Sequence, residues 1–458
     1  MLVLARFTLF FIMLGSLLVY LFTNIKLIGE GSQALAVLAL SAVIGVFLIV
    51  LELVLKQKVY IKKSFLLLIL FFIYFIVNAT LNRPDDLKSL LIATSGGIVL
   101  FYILGSLVST NLLYIKEKVL NSKQFLNIFN FLYFVFSIIF MILLIDTFIT
   151  LMANVREDLF LIADLDGMYQ RAGAFLVISF FIYSFITVFF LFVNKYVKKK
   201  KASKLMTFVL FILYCFISIT GMLLSQMIGS NNTLVNLGGL LFATTIFYIF
   251  INFTKPDRLL SYMKLNFRKI FLSKLTKKLF GSIFVSLFIL LILLIGLINV
   301  LDIDLDKFRI LGFGSGEVSS ISARLELWNN FTTQFNYNPI FGNMAVDALT
   351  TGDGSYVHSF IASLLTHLGI VGFVLFFVYL FIAIKERFNH LNELYVNNLF
   401  SLYSLVVFCG IFAIASFGTF ITWIPIWFLL GLIFPPIVFK NEKELNFEKS
   451  NINSIKQF

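Results

Sequence analysis

The chain has 458 residues, of which 60% are hydrophobic and only 13% are charged, and 58 of them are phenylalanine. Nearly uncharged apolar stretches of 18 or more residues recur along it, and each can cross a bilayer as a helix. The composition therefore predicts an all-α polytopic membrane protein and excludes a soluble nucleic-acid binder, despite the net charge of +13. Cys215 and Cys409 both lie inside apolar stretches, which is typical of packing residues rather than of a disulfide or a metal pair.

The hydropathy pattern predicts twelve membrane-spanning helices. Their predicted bounds are 7–23, 34–54, 64–78, 90–113, 125–149, 172–194, 205–223, 234–252, 281–300, 359–384, 397–415 and 422–439. The segment 34–36 reads Ala-Leu-Ala and resembles a signal-peptide cleavage site. Because it opens directly into the second apolar run, we expect the first span to remain uncleaved.

The distribution of basic residues predicts the orientation of these helices. Most of the 36 Lys and Arg residues are Arg6 or fall in the connections 56–63, 116–123, 195–204, 253–280 and 385–396 or the tail after residue 439. By the positive-inside rule this side is cytoplasmic, and both termini lie on it. The opposite, outer side carries few cations, namely Lys26, Arg83, Lys88, Arg156, Arg171, Lys307, Arg309 and Arg324.

The longest outer loop, 301–358, divides the chain into predicted helices 1–9 (residues 1–300) and predicted helices 10–12 (359–439), with a cytoplasmic tail at 440–458. Apolar residues from Ile321 to Phe335 recur at steps of three and four, which predicts an amphipathic helix over 319–335 that Asn338-Pro339 ends. After a loop with glycine and aspartate, His358 stands at the start of the tenth span. Small residues follow on the same side of that span, which favours close approach of another helix.

Three outer residues are candidates for chemistry, and each has a second interpretation. Arg324 is either a surface arginine that reaches lipid headgroups or a bidentate clamp on a phosphate. Arg171, just outside the sixth span, is either an interface anchor or an anion ligand. His358 is predicted in the first turn of its helix, where the dipole keeps the ring neutral and able to accept a proton. His367 is predicted to form a hydrogen bond between helices, and His390 to lie in a solvated cytoplasmic connection.

No metal or cofactor is expected. Asp302, Asp304 and Asp306 alternate like calcium ligands, but Phe313 stands where the twelfth-position glutamate of such a loop would be, and no glycine occupies the sixth position. The chain also has no P-loop, no dinucleotide-binding glycine pattern and no zinc-ligand spacing.

Two segments resemble the O-antigen ligase/polymerase superfamily of bacterial envelope proteins. His358-Ser359, nine residues and Gly369-Ile370-Val371-Gly372 match that family's H-[N/S/Q]-x9-G-x-x-G pattern. The preceding segment resembles the family's S-x-x-x-R-L-x-x-W…N-P-x-x-G loop, here with Ser320, Arg324, Leu325, Trp328, Asn338, Pro339 and Gly342. Arg171, in the segment QRAGAF, resembles the arginine that follows an earlier outer loop of the family.

The resemblance implies a metal-independent glycosyltransferase of the GT-C type in the bacterial cytoplasmic membrane, with its active site on the outer face. Its donor would be a glycan on undecaprenyl pyrophosphate, and its acceptor a sugar hydroxyl. His358 would act as the base or the orienter of the acceptor hydroxyl. Arg171 and Arg324 would clamp the pyrophosphate, and Trp328 would contribute to substrate binding. Membrane lipids are further partners, and the need for a chain-length regulator stays open.

We expect a polymerase of O-antigen, capsule or exopolysaccharide repeat units. Family ligases usually carry an arginine at the outer end of about the seventh span, where this chain has SQMIGSNNTLVNLGG. This difference disfavours, without excluding, the alternative of an O-antigen ligase that transfers glycan to lipid A-core or another acceptor. A second alternative is a twelve-helix transporter or flippase, which the nearly charge-free spans disfavour.

Overall fold

A computed structural model describes residues 2–26, 34–54, 58–82, 97–154, 168–197, 202–253, 326–352, 354–389 and 395–440. Within these ranges the chain is helical apart from one short sheet. The long helices are α1 Leu2–Lys26, α2 Leu35–Val54, α3 Lys63–Asn82, α4 Gly97–Asn121, α5 Lys123–Asn154, α6 Met168–Val197, α7 Ala202–Met227 and α8 Asn231–Phe253. They continue, after the short helices α9 Phe331–Tyr337 and α10 Val346–Thr350, with α11 Phe360–Asn389, α12 Tyr395–Gly418 and α13 Ile424–Ile433.

Nine of the helices in the described ranges are long and apolar enough to cross a membrane. This confirms an α-helical, multi-pass membrane protein. The predicted span 281–300 lies outside the described residues, and two further apolar helices, Leu35–Leu51 and Ile424–Ile433, are shorter. The count of twelve spans therefore stays a prediction.

The last predicted span, 422–439, differs from the structure. Helix α13 has ten residues, or about 15 Å at 1.5 Å per residue, which is half the thickness of the hydrocarbon layer. It ends before Pro435-Pro436, because a proline disfavours helical geometry in the residue before it. The chain then forms strand β2 Ile437–Lys440, which pairs antiparallel with β1 Lys58–Ile61, so that Lys58 faces Lys440.

Helix α13 lies in the core, at backbone distance from α4. A Cβ at Gly431 would be 2.0 Å from the Tyr102 carbonyl oxygen, and a Cβ at Gly105 would be 2.1 Å from that of Phe428. Only glycine permits such an approach, which is a common device where helices pack inside a membrane.

Helix α6 is the centre of the bundle, since every residue from 172 to 194 is buried. Helices α1, α5, α7, α8 and α12 pack around it. Polar contacts between helices accompany the apolar packing, for example the reciprocal amide hydrogen bonds of Asn130 and Asn194 at 2.9 and 2.8 Å.

The two ends of the bundle are a loop end and a basic end. The loop end is where α3 and α7 finish and the described part of the long loop, residues 326–359, lies. The basic end is where α3 begins, α11 finishes and the two strands pair. Among the described residues, the segments 58–64, 386–387 and 436–440, which the charge pattern predicts on one side of the membrane, meet at the basic end.

Candidate functional site

Helix α9, within the long outer loop, buries a polar side chain against the segment that follows it. Gln334 of α9 is fully buried, and its side-chain amide donates to the Thr351 hydroxyl at 2.8 Å and to the Ser355 carbonyl at 3.0 Å. Asn330 donates to the same carbonyl at 3.0 Å. These bonds fix the loop 351–355 against the helix. As predicted, the helix ends at Asn338-Pro339; residues 319–325 lie outside the described residues.

The aromatic stripe of this segment stays partly exposed. Trp328, in a helical turn at 326–329, is 37% exposed, and its ring centroid is 6.1 Å from that of Phe331. The rings of Phe331 and Phe335 stack at 5.8 Å. The sequence pattern predicted one helix over 319–335, whereas the described part has a helical turn at 326–329, a turn at Asn330 and then α9. The buried side of α9 is formed by the amide of Gln334, and the aromatic rings stay partly exposed.

Helix α11 is broken at Gly369, where the backbone adopts φ 64° and ψ −172°. The turn that follows Asn338 fills the break. The Ile370 N–H donates to the Pro339 carbonyl at 2.9 Å, and the Val371 N–H donates to the Ile340 carbonyl at 3.1 Å. In the opposite direction, the Asn343 N–H donates to the Thr366 carbonyl at 3.3 Å. The loop thus satisfies backbone groups that the break would otherwise leave unpaired.

This contact corrects the predicted role of the small residues below His358. A Cβ at Gly369 would be 2.4 Å from the Ile340 carbonyl oxygen, and one at Gly342 would be 2.4 Å from the Gly369 nitrogen. The two glycines therefore permit a loop, rather than another helix, to lie against α11. At Gly372 the neighbour is a helix, since a Cβ there would be 3.1 Å from the Tyr74 ring of α3.

Helix α3 holds the inserted turn from the other side. The Tyr74 hydroxyl donates to the carbonyls of Phe341 and Leu368, at 2.6 and 3.0 Å. The Asn78 amide donates to the same Phe341 carbonyl at 2.6 Å. Tyr74 of α3 therefore contacts both the loop, at Phe341, and α11, at Leu368.

His358 lies two residues before α11, rather than in its first turn as predicted. Ser359 is the residue that caps the helix, with its hydroxyl accepting from the Ala362 N–H at 3.1 Å. The His358 side chain is half-buried, and its ring lies 4.8 Å from that of Tyr356.

Asp347, a residue that the sequence did not single out, connects the two segments that flank His358. It is 4% exposed. Its carboxylate accepts from the Gly354 N–H at 3.2 Å, and its other oxygen is 4.0 Å from Nε2 of His367. His367 is 1% exposed, and its Nδ1 is 2.8 Å from the Thr366 hydroxyl. His367 thus contacts the loop through Asp347, and its predicted hydrogen bond between helices stays a prediction.

The aromatic ring of Phe420 lies between the two histidines. Its centroid is 4.5 Å from that of Tyr356 and 4.7 Å from that of His367. Because the Tyr356 ring also contacts that of His358, a line of rings connects the two histidines.

Arg171 lies at the loop end of α6, exposed and next to two aromatic side chains. It is close enough to the Tyr20 hydroxyl of α1 for a hydrogen bond, and its guanidinium is 5.6 Å from the Phe175 ring centroid. Two residues on, a Cβ at Gly173 would meet the hydroxyls of Thr233 and Ser230 at 2.4 and 2.7 Å. Gly173 is thus adjacent to the start of α8, the segment where family ligases usually carry an arginine and this chain has none.

Arg324 lies outside the described residues, so its distances to Arg171 and His358 are not defined. The structure places Trp328 and His358 in the same loop and Arg171 on a different helix. Asp347, Tyr74 and Asn78 were missed because their roles depend on contacts made across the fold. One available signal was that Asn78 and Tyr74 are polar groups in an otherwise apolar span, spaced four residues apart.

The chain was compared with known proteins at three levels. No family model matches it, and neither a curated protein nor a solved structure does.

Proposed function

We propose that this protein is a polysaccharide polymerase of the bacterial cytoplasmic membrane, a metal-independent glycosyltransferase that uses a glycan on undecaprenyl pyrophosphate. The observation that carries the proposal is the backbone contact between the Asn338–Gly342 turn and Gly369. It joins the two segments on which the family resemblance rests, and His358 follows from the same loop. Two motifs that are distant in sequence therefore behave as one structural unit.

The proposed reaction is attack of an acceptor hydroxyl on the anomeric carbon of the donor sugar. The new glycosidic C–O bond forms as the bond from that carbon to the pyrophosphate oxygen breaks, and undecaprenyl pyrophosphate leaves. His358 accepts the proton of the hydroxyl, and Arg171 and Arg324 stabilise the negative charge on the leaving group. The partly exposed rings of Trp328, Phe331 and Phe335 supply an apolar surface for sugar faces or for the polyprenyl chain.

A transporter is the second candidate, because broken helices are typical of transporters that bind ions with freed carbonyl groups. The break at Gly369 is such a feature. Here, however, the carbonyls of Thr366 and Leu368 already accept bonds from Asn343 and Tyr74. This occupation of the break favours a loop anchor over an ion site, and therefore the enzyme.

The proposal is tested by profiling envelope glycans and lipid-linked intermediates in a deletion strain. The strain is complemented with wild type, His358→Ala, Arg171→Ala or Arg324→Ala, and His390→Ala serves as the matched histidine control. We expect the three site variants to lose the polymer ladder while single lipid-linked repeats remain, and the control to restore it.

Other outcomes separate the alternatives. Long lipid-linked polymer that accumulates without being attached would indicate a ligase. Full ladders with all three site variants would refute the assigned site and bring the transporter forward.

A further inference from the structure

The basic end of the bundle contains a second cluster of charged side chains, formed where three distant segments meet. Lys62 joins β1 to α3, and its N–H donates to the Pro436 carbonyl, just before β2, at 3.0 Å. Glu386 and Arg387 in the final turn of α11 lie against the same point.

The carboxylate of Glu386 already serves as a helix cap. One of its oxygens accepts from the Lys63 N–H at 3.0 Å, and the other accepts from the Ser64 hydroxyl at 2.6 Å. A carboxylate in this position satisfies donors at the start of α3 and interacts favourably with the helix dipole. Glu386 brings one negative charge to the two positive charges of Lys62 and Arg387, so it compensates them only in part.

Lys62 and Arg387 are the two cations beside Glu386. Lys62 and Arg387 are both half-buried, and Nε of Arg387 is buried without an acceptor among the described residues. The pKa of Lys62 falls from 10.5 to about 7, first because of burial and then because of the positive charge of Arg387, with Glu386 acting in the opposite direction. Two like charges held together in this way are stabilised by an anion that lies between them.

We propose that Lys62 and Arg387 bind the phosphate of an anionic phospholipid headgroup. Arginine can bind phosphate through two parallel hydrogen bonds, and lysine adds a compact positive charge. The charge pattern predicts that this end faces the cytoplasm, where the leaflet surface is rich in anionic lipids.

The apolar neighbours of the site favour a lipid over free phosphate. Leu66 and Leu70, in the first two turns of α3, are 59% and 53% exposed, and Phe381, less than two turns before Arg387, is 68% exposed. Acyl chains can cover these side chains while the headgroup contacts the cations. A soluble anion would leave them uncovered.

The test uses the purified full-length protein in a non-ionic detergent. Its melting temperature is followed during titration with phosphatidylglycerol, with phosphatidylcholine and with inorganic phosphate at the same phosphate concentration. We expect phosphatidylglycerol alone to stabilise the wild type. Lys62→Gln/Arg387→Gln should weaken its apparent affinity by about tenfold or more, as expected for losing hydrogen bonds to a charged group.

Lys385→Gln controls for the loss of one positive charge, since Lys385 is an exposed residue two positions before Arg387. We expect its affinity to stay within about twofold of wild type. Equal affinity in the wild type and the double variant would overturn the proposal, as would equal stabilisation by phosphatidylcholine. The same shift with inorganic phosphate would assign a soluble-anion site and overturn it as well.

The single variant Lys62→Gln keeps the test decisive if the double variant does not fold. It removes one of two like charges, so its melting temperature without lipid should be at or above that of the wild type. Loss of the phosphatidylglycerol shift in this folded variant would support the site, and a retained shift would refute it.

Discussion

Gly369 is the position where one added methyl group tests the loop insertion most directly. Its φ of 64° and ψ of −172° lie in a backbone region that essentially only glycine adopts. A Cβ there would also lie 2.4 Å from the Ile340 carbonyl oxygen and 2.5 Å from the Gly342 nitrogen. Both neighbours are backbone atoms, so neither can rotate away. Gly369→Ala must therefore either displace the turn or change the break itself.

The expected cost has two parts. Backbone strain in this region is about 1–3 kcal/mol. Displacement of the turn also removes the bonds from Ile370 to Pro339 and from Val371 to Ile340, each with a net contribution of about 1 kcal/mol. The free energy of unfolding should fall by roughly 3–5 kcal/mol, which is a large part of the stability of a typical protein. If α11 straightens instead, helical bonds offset part of this cost, but the loop that leads to His358 is expelled.

The assay combines the melting temperature of the purified protein with the polymer ladder of the complemented strain. Gly410→Ala is the control, because Gly410 lies in α12 with no atom within 4 Å of its added Cβ. Alanine is favoured over glycine in a helix by up to about 1 kcal/mol, so this control should be neutral or slightly stabilising. A Gly369→Ala protein that melts like wild type and makes full ladders would refute the loop-insertion argument.

Three further predictions concern single side chains. Tyr74→Phe removes the hydroxyl that donates to Phe341 and Leu368, so we expect a loss of about 1–3 kcal/mol by thermal unfolding, whereas Tyr337→Phe, with an exposed ring, should change stability little. Asp347→Asn keeps an acceptor for the Gly354 N–H but removes the charge that faces His367. We expect a clear loss of the polymer ladder with little change in melting temperature. An unchanged ladder would argue against a role of Asp347 in positioning His358. Without anionic lipid, the free energy of unfolding should rise between pH 7 and 10. The pKa of Lys62 is about 7 in the folded protein and 10.5 in the unfolded chain, so the unfolded chain binds more protons in this window. Thermal melts of Lys62→Gln should lack that rise, and an equal rise in this variant would assign it to other groups.

Two sites could fail independently. The lipid site at the basic end is read out by thermal shift and does not depend on enzyme activity. The loop end is read out by glycan products. If the protein binds phosphatidylglycerol but its His358, Arg171 and Arg324 variants still make polymer, the lipid-site proposal stands and the polymerase site is refuted.

The sequence by itself determined the class of protein and the position of most helices. Each predicted span except 281–300 overlaps a described helix, because the length and apolarity of a span are local properties of the chain. The end of α9 at Asn338-Pro339 was also predictable, since proline acts on its immediate neighbour. Of the connections grouped by charge, the described parts of 56–63 and 385–396 and the start of the tail meet at one end of the bundle, and the orientation stays a prediction.

Only the tertiary structure decided how α11 is interrupted and what fills the interruption. Its apolar run continues through Gly369 without a local signal, and the break exists because a turn about 30 residues earlier supplies the missing hydrogen bonds. The contacts of Asp347 with His367 and of Glu386 with α3 likewise join segments that no spacing rule relates. Helix α13 ends at a local signal, Pro435-Pro436, but the pairing of the residues after it with β1 depends on the tertiary structure. Such pairings depend on the whole bundle, because a polar group buried in an apolar interior takes whichever partner the fold brings within reach.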